Sequence, residues 1–156
     1  MQVGMIGLGN IGSAMANLIA NNGYPVLGWE YHADVVEQIH QQHTNERFLP
    51  GIALSPHLCA TTSLEQVVTN CDVLFVGIPS LYIGKTLQPV QSVLPTDTIL
   101  VNLAKGIDRD RGLTAFQTLS RLFPQHRCMM LAGAGDCQRV YSRYAHRGCS
   151  CGRKHD

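Results

Sequence analysis

The stretch VGMIGLGNIG, residues 3–12, places a short apolar run, Val3 to Ile6, directly before three glycines, Gly7, Gly9 and Gly12. A helical pattern follows the glycines. In this order of strand, turn and helix, the first glycine permits a tight turn, the second lets the backbone approach a pyrophosphate, and the third lets the helix pack close to the strand. The helix N-terminus then offers unpaired N–H groups and a partial positive charge to the phosphates. The stretch therefore predicts a dinucleotide site.

The acid that follows the next apolar run supports this prediction. Glu30 ends the run Pro25 to Trp29, at about the 20-residue distance expected after such a glycine turn. A carboxylate there can accept hydrogen bonds from a ribose 2′-OH and repels a 2′-phosphate, so Glu30 favours NAD over NADP. The alternative is an ordinary βα unit with a glycine-rich turn, in which Glu30 is a solvated acid at the end of a strand.

Composition limits the classes of protein that this sequence fits. With 156 residues and 45% hydrophobic content, the chain can form one globular core and has little room for a second. Twelve basic and eleven acidic residues leave a net charge of +1, which gives no indication of a nucleic-acid or membrane partner. The first apolar run follows no basic segment and contains the glycine turn, so we expect no signal peptide or membrane span and a cytoplasmic location.

Strand-like and helix-like segments alternate between residues 2 and 131. The strand-like runs are Val3–Ile6, Val26–Trp29, Val73–Ile78, Ile99–Leu103 and Cys128–Leu131. The helical segments are Ile11–Asn21, Ala33–His43, Leu64–Thr69, Ile83–Val93 and Leu113–Phe123, and Ser63 with Gln66 resembles a capping box for the third. This alternation predicts an α/β fold of the Rossmann type, doubly wound around a mostly parallel sheet with helices on both faces.

Further candidates lie where predicted strands end. Lys105 follows the run Ile99–Leu103, and ligands of doubly wound sheets bind beyond the carboxyl ends of strands, so it can reach a substrate anion or carbonyl. Pro79 stops another strand and frees the next residues to line the cleft. Tyr82 then either stacks near the cofactor or belongs to the core. Tyr31 either covers an adenine ring or is a half-exposed aromatic. For Lys105, the alternative is a solvated residue of the loop.

The cofactor-binding set predicted from these arguments is Gly7, Leu8, Gly9, Asn10, Ile11, Gly12, Glu30, Tyr31, Pro79, Tyr82 and Lys105. Metal binding is not expected, because the histidines lack ligand spacing and the Cys-x-Cys of the last residues has no matching second pair. We interpret Cys59, Cys71 and Cys128 as reduced, small hydrophobic residues beside strands. The segment Phe48–Ile52, FLPGI, is interpreted as a rigid structural turn with two apolar anchors.

Several motifs in this order resemble NAD-dependent glycerol-3-phosphate dehydrogenases. The FLPGI turn and the AKGI loop, residues 104–107, are more specific than the glycine turn. The resemblance covers Gly7–Gly12, Trp29 with Tyr31, Gln42-His43, Phe48–Ile52, Asp72 through Ser80, Ile83–Lys85, Ala104–Ile107 and Leu131–Gly133. Dehydrogenases of 3-hydroxyacids or 6-phosphogluconate share the glycine turn but should lack both motifs. A catalytically silent NAD-binding module or a truncation product is the alternative of a different class.

The resemblance implies a site and a reaction. Tyr31 and Tyr82 would lie beside NAD, and Lys105 and Gly133 would contact the glycerol phosphate end of the substrate. The reaction would be hydride transfer between NADH and dihydroxyacetone phosphate, giving sn-glycerol 3-phosphate. The partner is then a small molecule, with a homo-oligomer as a further expectation.

The resemblance stops after Gly133. In the family, an all-helical substrate domain follows and carries the catalytic lysine, so we expect no catalytic residue in this chain and little or no turnover. We divide the chain into an NAD-binding domain, residues 1–133, and an aberrant, disordered tail, residues 134–156. Suitable codons for residues 134–152, read one base later, can encode a sequence like the family's continuation, so we hypothesise a one-base insertion near the Gly133 codon. The nucleotide sequence decides this.

Overall fold

Parallel pairing joins six strands of the chain into one sheet. The computed structural model describes residues 1–108 and 111–131. The sheet strands are β1 (Val3–Ile6), β2 (Val26–Trp29), β3 (Leu58–Thr61), β4 (Val73–Val76), β5 (Ile99–Asn102) and β8 (Cys128–Met130), and an antiparallel pair is formed by β6 (Ile107–Asp108) and β7 (Leu113–Thr114). The sheet order is β3-β2-β1-β4-β5-β8, with every neighbouring pair parallel.

Helices cover both faces of this sheet, as predicted. They are α1 (Asn10–Asn21), α2 (Ala33–Gln42), α3 (Leu64–Val68), α4 (Ser80–Leu87) and α5 (Ala115–Leu122), with a 3₁₀ turn at Gln88–Val90. Successive strand residues point to opposite faces. On β1, Val3 and Met5 therefore pack with α1 and α2, whereas Ile6 packs with α3, α4 and α5. The doubly wound, Rossmann-type α/β fold is confirmed.

The boundaries of several elements differ from the sequence prediction. The sequence prediction did not include β3. This short edge strand buries only Leu58 and Ala60 and leaves Cys59 exposed, so it forms no continuous apolar run. Helix α4 begins at Ser80 and not at Ile83, since the dihedral angles of Pro79 suit the residue before a helix. The predicted helix from Leu113 begins two residues later, because Leu113 pairs with Asp108 in the β6–β7 ladder.

Helix caps follow the predicted chemistry only in part. The Ser63 hydroxyl accepts a hydrogen bond from the Gln66 N–H (3.3 Å), but the Gln66 side chain accepts from the Thr61 hydroxyl (2.9 Å) instead of closing a capping box. A complete capping box is present at α5, where Thr114 and Gln117 bond to each other's backbone N–H. α5 therefore has a well-defined start immediately after β7.

The cysteines of the described residues fall into two groups. Cys71 is buried, and burial together with the charge of Asp72 raises the pKa of its thiol to about 12. Cys128 is half-buried, and burial also raises the pKa of its thiol. Both agree with the predicted small hydrophobic role. Cys59 is also a free cysteine on a strand, β3, but it is exposed and therefore not packed as a small hydrophobic residue.

Two further findings concern the limits of the described chain. No helix within residues 1–108 and 111–131 is long and apolar enough to cross a membrane. Gly133 and the predicted tail lie outside the described residues. The tail contains the cysteines and histidines whose spacing does not fit a zinc site, namely Cys137, His146, Cys149, Cys151 and His155. The substrate contact of Gly133 and the division at residue 133 therefore stay predictions.

Candidate cofactor site

The topology places the predicted site residues at one edge of the sheet. The chain builds β1, β2 and β3 in one direction and then returns to place β4 on the other side of β1. In such sheets the ligand crevice opens beyond the carboxyl ends of the strands at this reversal. Gly7 follows β1, Glu30 follows β2, Pro79 follows β4 and Lys105 follows β5. Residues that lie up to about one hundred positions apart in the sequence are therefore brought to one crevice.

The three glycines of the turn have three different physical roles. Gly7 has a φ of +89°, a conformation that favours glycine. A methyl group on Gly12 would overlap the carbonyl oxygen of Gly7, so the close approach of α1 to the turn requires glycine there. A methyl group on Gly9 would meet no atom within 4 Å. The tight-turn and packing roles are confirmed, and the open space at Gly9 is where the sequence places the pyrophosphate.

Helix α1 begins directly behind this open space. Gly9 precedes its first turn, and no side chain caps the helix. Within the described residues, the first N–H of the helix that reaches an acceptor is that of Ser13, which donates to the Gly9 carbonyl (2.8 Å). The N–H groups of Asn10, Ile11 and Gly12 are thus available to an anion, and the helix dipole adds partial positive charge.

Leu8 holds the turn from inside the protein. Its side chain is fully buried against Gly28, where a methyl group would come within 2.7 Å of Leu8. Its N–H donates to Glu30 Oε2 (3.0 Å), and its carbonyl accepts from Ser13 Oγ (2.6 Å) and Asn45 Nδ2 (2.9 Å). The side chain and both backbone polar groups of Leu8 are therefore engaged within the protein.

Glu30 is an internal part of the site and not a solvated acid. Its side chain is 6% exposed, and its second oxygen, Oε1, accepts from the His32 N–H (3.1 Å). The alternative of a solvated acid at the strand end is therefore wrong. Each carboxylate oxygen keeps a further lone pair, so the two backbone bonds leave Glu30 able to accept from a ribose hydroxyl. That ribose contact stays a prediction.

The loop between α2 and β3 reaches the glycine turn, which the sequence prediction missed. Asn45 is fully buried and donates to both the Leu8 carbonyl and Ser13 Oγ (2.9 Å each). At the far end of this loop, the Ala53 carbonyl accepts from the side chain of Asn17 on α1 (3.1 Å), and the Ser55 N–H donates to that side chain (2.7 Å). The available signal was a pair of polar residues four positions apart on the buried face of α1, namely Ser13 and Asn17.

The other predicted contacts lie around the mouth of the crevice. Tyr31 is 78% exposed and packs edge-on against His32 (5.5 Å between ring centroids). Tyr82, on the first turn of α4, is 51% exposed, so it is not a core residue. Pro79 and Lys105 are also exposed. Both tyrosine rings are therefore free to cover a flat ligand.

Asn102 shapes the loop that carries Lys105. This fully buried residue ends β5, and its amide group accepts from the Ala104 N–H and donates to the Ala104 carbonyl (3.0 Å each). Gly106 follows with a φ of +95°. The loop therefore turns sharply beyond the strand and leaves Lys105 at the surface of the crevice.

Comparisons with known proteins agree with this geometry. Residues 2–145 match the family model described as NAD-dependent glycerol-3-phosphate dehydrogenase N-terminus. The glycerol-3-phosphate dehydrogenase [NAD(P)+] of Pseudomonas aeruginosa is 35% identical over 131 residues, and that of Geobacter sulfurreducens is 37% identical over 123 residues. These matches cover 84% and 79% of this chain, but 38% and 37% of the relatives.

A solved structure shows the same fold. The glycerol-3-phosphate dehydrogenase of Coxiella burnetii superposes with a TM-score of 0.82 at 20% identity, covering 90% of this chain and 43% of that one. The chain thus spans about two-fifths of the length of the curated relatives that it matches.

Proposed function

Because the chain belongs to the family of NAD-dependent glycerol-3-phosphate dehydrogenases and spans their N-terminal, NAD-binding part, we propose that its crevice holds NAD in one defined orientation. The observation that carries this proposal is the turn itself. Gly9 is open, α1 is uncapped, and the buried Glu30 lies against Leu8 on the neighbouring strand end. This arrangement provides N–H donors for a pyrophosphate beside a carboxylate for a ribose.

The residues around the turn divide the cofactor between them. Gly7 to Gly12 contact the pyrophosphate, and Glu30 accepts from the adenosine ribose. Tyr31, exposed at the end of β2, lies against the adenine ring. Pro79, Tyr82 and Lys105, which follow β4 and β5, lie toward the nicotinamide end. Reading of the ribose by Glu30 favours NAD over NADP, although the curated relatives are named for both.

The proposed reaction of the whole enzyme is reduction of dihydroxyacetone phosphate to sn-glycerol 3-phosphate. When bound, NADH supplies the hydride for the carbonyl carbon. This chain's own part is to fix the cofactor and to present the Lys105 ammonium to the phosphate end of the substrate. The general acid that protonates the carbonyl oxygen is expected in the remaining part of these enzymes. Because cofactor and substrate are small water-soluble molecules, the proposed location is the cytoplasm.

A titration and an assay test the proposal separately. Trp29 is the single tryptophan and lies directly before Glu30, so its emission should fall as NADH binds and accepts energy from it. Absence of saturable quenching would contradict the cofactor site. The second measurement is oxidation of NADH in the presence of dihydroxyacetone phosphate. Binding without oxidation would assign to this chain cofactor binding alone.

A further inference from the structure

Asn45 connects two parts of the molecule that are far apart in sequence. It lies in the loop between α2 and β3, 37 residues beyond Leu8, and is fully buried. Its amide group donates to the Leu8 carbonyl and to Ser13 Oγ, and its Oδ1 accepts from the Phe48 N–H (3.3 Å). The polar atoms of this side chain are thus bonded both to the glycine turn and to its own loop.

The loop is rigid enough to hold that contact in place. Leu49 and Leu54 anchor it in the core, with exposures of 2% and 5%. The Asn45 carbonyl accepts from the Leu49 N–H (2.7 Å). Asn45 is therefore a fixed donor rather than one that follows the movements of the turn.

Peptide geometry transmits this contact to Gly9. The peptide bond between Leu8 and Gly9 is trans, so its carbonyl and its N–H point in opposite directions. Asn45 and Ser13 hold the carbonyl toward the interior, which turns the Gly9 N–H outward. Since glycine accepts many backbone conformations, this peptide would otherwise be free to rotate and present its carbonyl to the site.

We propose that Asn45 is a positioning residue for the dinucleotide: it holds the Leu8 carbonyl so that the Gly9 N–H faces the pyrophosphate. This role rests on the proposed function, because it assumes that the pyrophosphate binds at Gly9. The loop that carries the FLPGI turn is then part of the cofactor site, although it contributes no side chain to the ligand itself. Loss of the Asn45 amide should weaken binding of ligands that contain a pyrophosphate and spare adenosine.

The experiment compares two buried asparagines, Asn45 on the loop and Asn17 on α1, which bond opposite ends of the loop to the rest of the protein. Asn45→Ala removes the donor to the turn, whereas Asn17→Ala removes bonds to the other end of the loop and leaves Leu8 untouched. Kd values for NADH come from Trp29 quenching, and those for adenosine from amide chemical shifts, on the full chain. We expect Asn45→Ala to raise the NADH Kd about tenfold, and Asn17→Ala to raise it less than about twofold. The adenosine Kd should stay unchanged in both.

Each result decides the proposal. Equal NADH affinity in wild type and Asn45→Ala would overturn it, and so would equal weakening of NADH and adenosine. If Asn45→Ala does not fold, Asn45→Leu takes its place: it keeps the side-chain volume, removes both amide donors and should raise the NADH Kd about tenfold. An unchanged Kd there would also overturn the proposal. A wild-type chain that binds no NADH would instead contradict the proposed function.

Discussion

Glu30 combines two tasks at the scale of a single residue. Its carboxylate accepts from the backbone N–H groups of Leu8 and His32, so it stabilises the glycine turn even without a ligand. The same negative charge lies where a ribose hydroxyl is expected and would repel a 2′-phosphate. Any substitution of Glu30 therefore changes the turn as well as the charge, and the two effects are separated by comparing NAD with NADP, because both cofactors use the same turn.

We expect Glu30→Gln to shift cofactor preference toward NADP. Glutamine keeps the shape but has one acceptor oxygen, so one of the two bonds to the Leu8 and His32 N–H groups is lost, and the repulsion of the 2′-phosphate is gone. Because the lost bond affects NAD and NADP alike, the ratio of the two affinities reports the effect of the charge. The ratio of the NADP Kd to the NAD Kd should fall about tenfold, equivalent to a charge contribution of about 1.4 kcal/mol. Competition against NADH fluorescence measures both constants. An unchanged ratio would show that Glu30 does not read the ribose.

The cysteines should differ sharply in reactivity. Because the pKa of the Cys71 thiol is raised to about 12, it stays protonated near pH 8, and burial also keeps reagents away. Iodoacetamide at that pH should label exposed Cys59 and leave Cys71 unlabelled in the folded chain. Peptide mass spectrometry provides the measurement, with concentrated urea as the control in which both react. Rapid native labelling of Cys71 would contradict its burial.

The sequence allowed the local part of the site to be predicted, but not its long-range contacts. Gly7 and Gly12 could be predicted because their roles depend on neighbours within a few residues. Asn45 could not, since nothing in its own surroundings indicates that it bonds to Leu8, 37 residues earlier. The turn-stabilising bonds of Glu30 were hidden for the same reason: its spacing indicated a ribose contact and not a backbone partner.

At the scale of elements, strong periodic segments were predicted well and short ones were not. β1 and β2 have the predicted bounds because they are continuous apolar runs in the centre of the sheet. The β6–β7 pair has only two residues in each strand, too few for a pattern, and its pairing replaces the predicted first turn of α5. The capping box at Thr114 then determines where α5 starts.

Removal of that cap should destabilise the chain measurably. Thr114→Ala loses the side-chain bond to the Gln117 N–H (3.2 Å) and should lower the free energy of unfolding by about 1 kcal/mol. Urea unfolding followed by circular dichroism gives the value. Ser63→Ala, at the five-residue helix α3 with its longer 3.3 Å bond, is the matched comparison and should cost less. The opposite order would mean that the capping box does not set the start of α5.

At the scale of the whole molecule, one edge of the sheet is apolar and exposed. β8 is the last strand in the sheet order, and Met129, Met130 and Leu131 are about half exposed at 57%, 52% and 49%. Parallel sheets normally bury both faces, and exposed apolar patches beside an edge strand favour association. Within the described residues, this surface combines an edge strand with three exposed apolar side chains.

We therefore expect self-association that depends on concentration and on this edge. Sedimentation velocity should show species larger than a monomer as concentration rises. Met129→Lys, which places a charge on the exposed patch, should shift the distribution toward monomer without changing NADH affinity. A wild-type chain that stays monomeric over the whole concentration range would contradict the prediction, as would association unaffected by the lysine.

The substitution Gly9→Ala tests the cofactor site most directly. Gly9 has φ −68° and ψ −169°, which alanine adopts readily, and the added methyl group meets no protein atom within 4 Å. The melting temperature should therefore match the wild type, while the methyl group occupies the space assigned to the pyrophosphate. We predict that the NADH Kd, measured by Trp29 quenching, rises at least about tenfold. Wild-type NADH affinity in a correctly folded Gly9→Ala chain would contradict the assignment of this turn as the cofactor site.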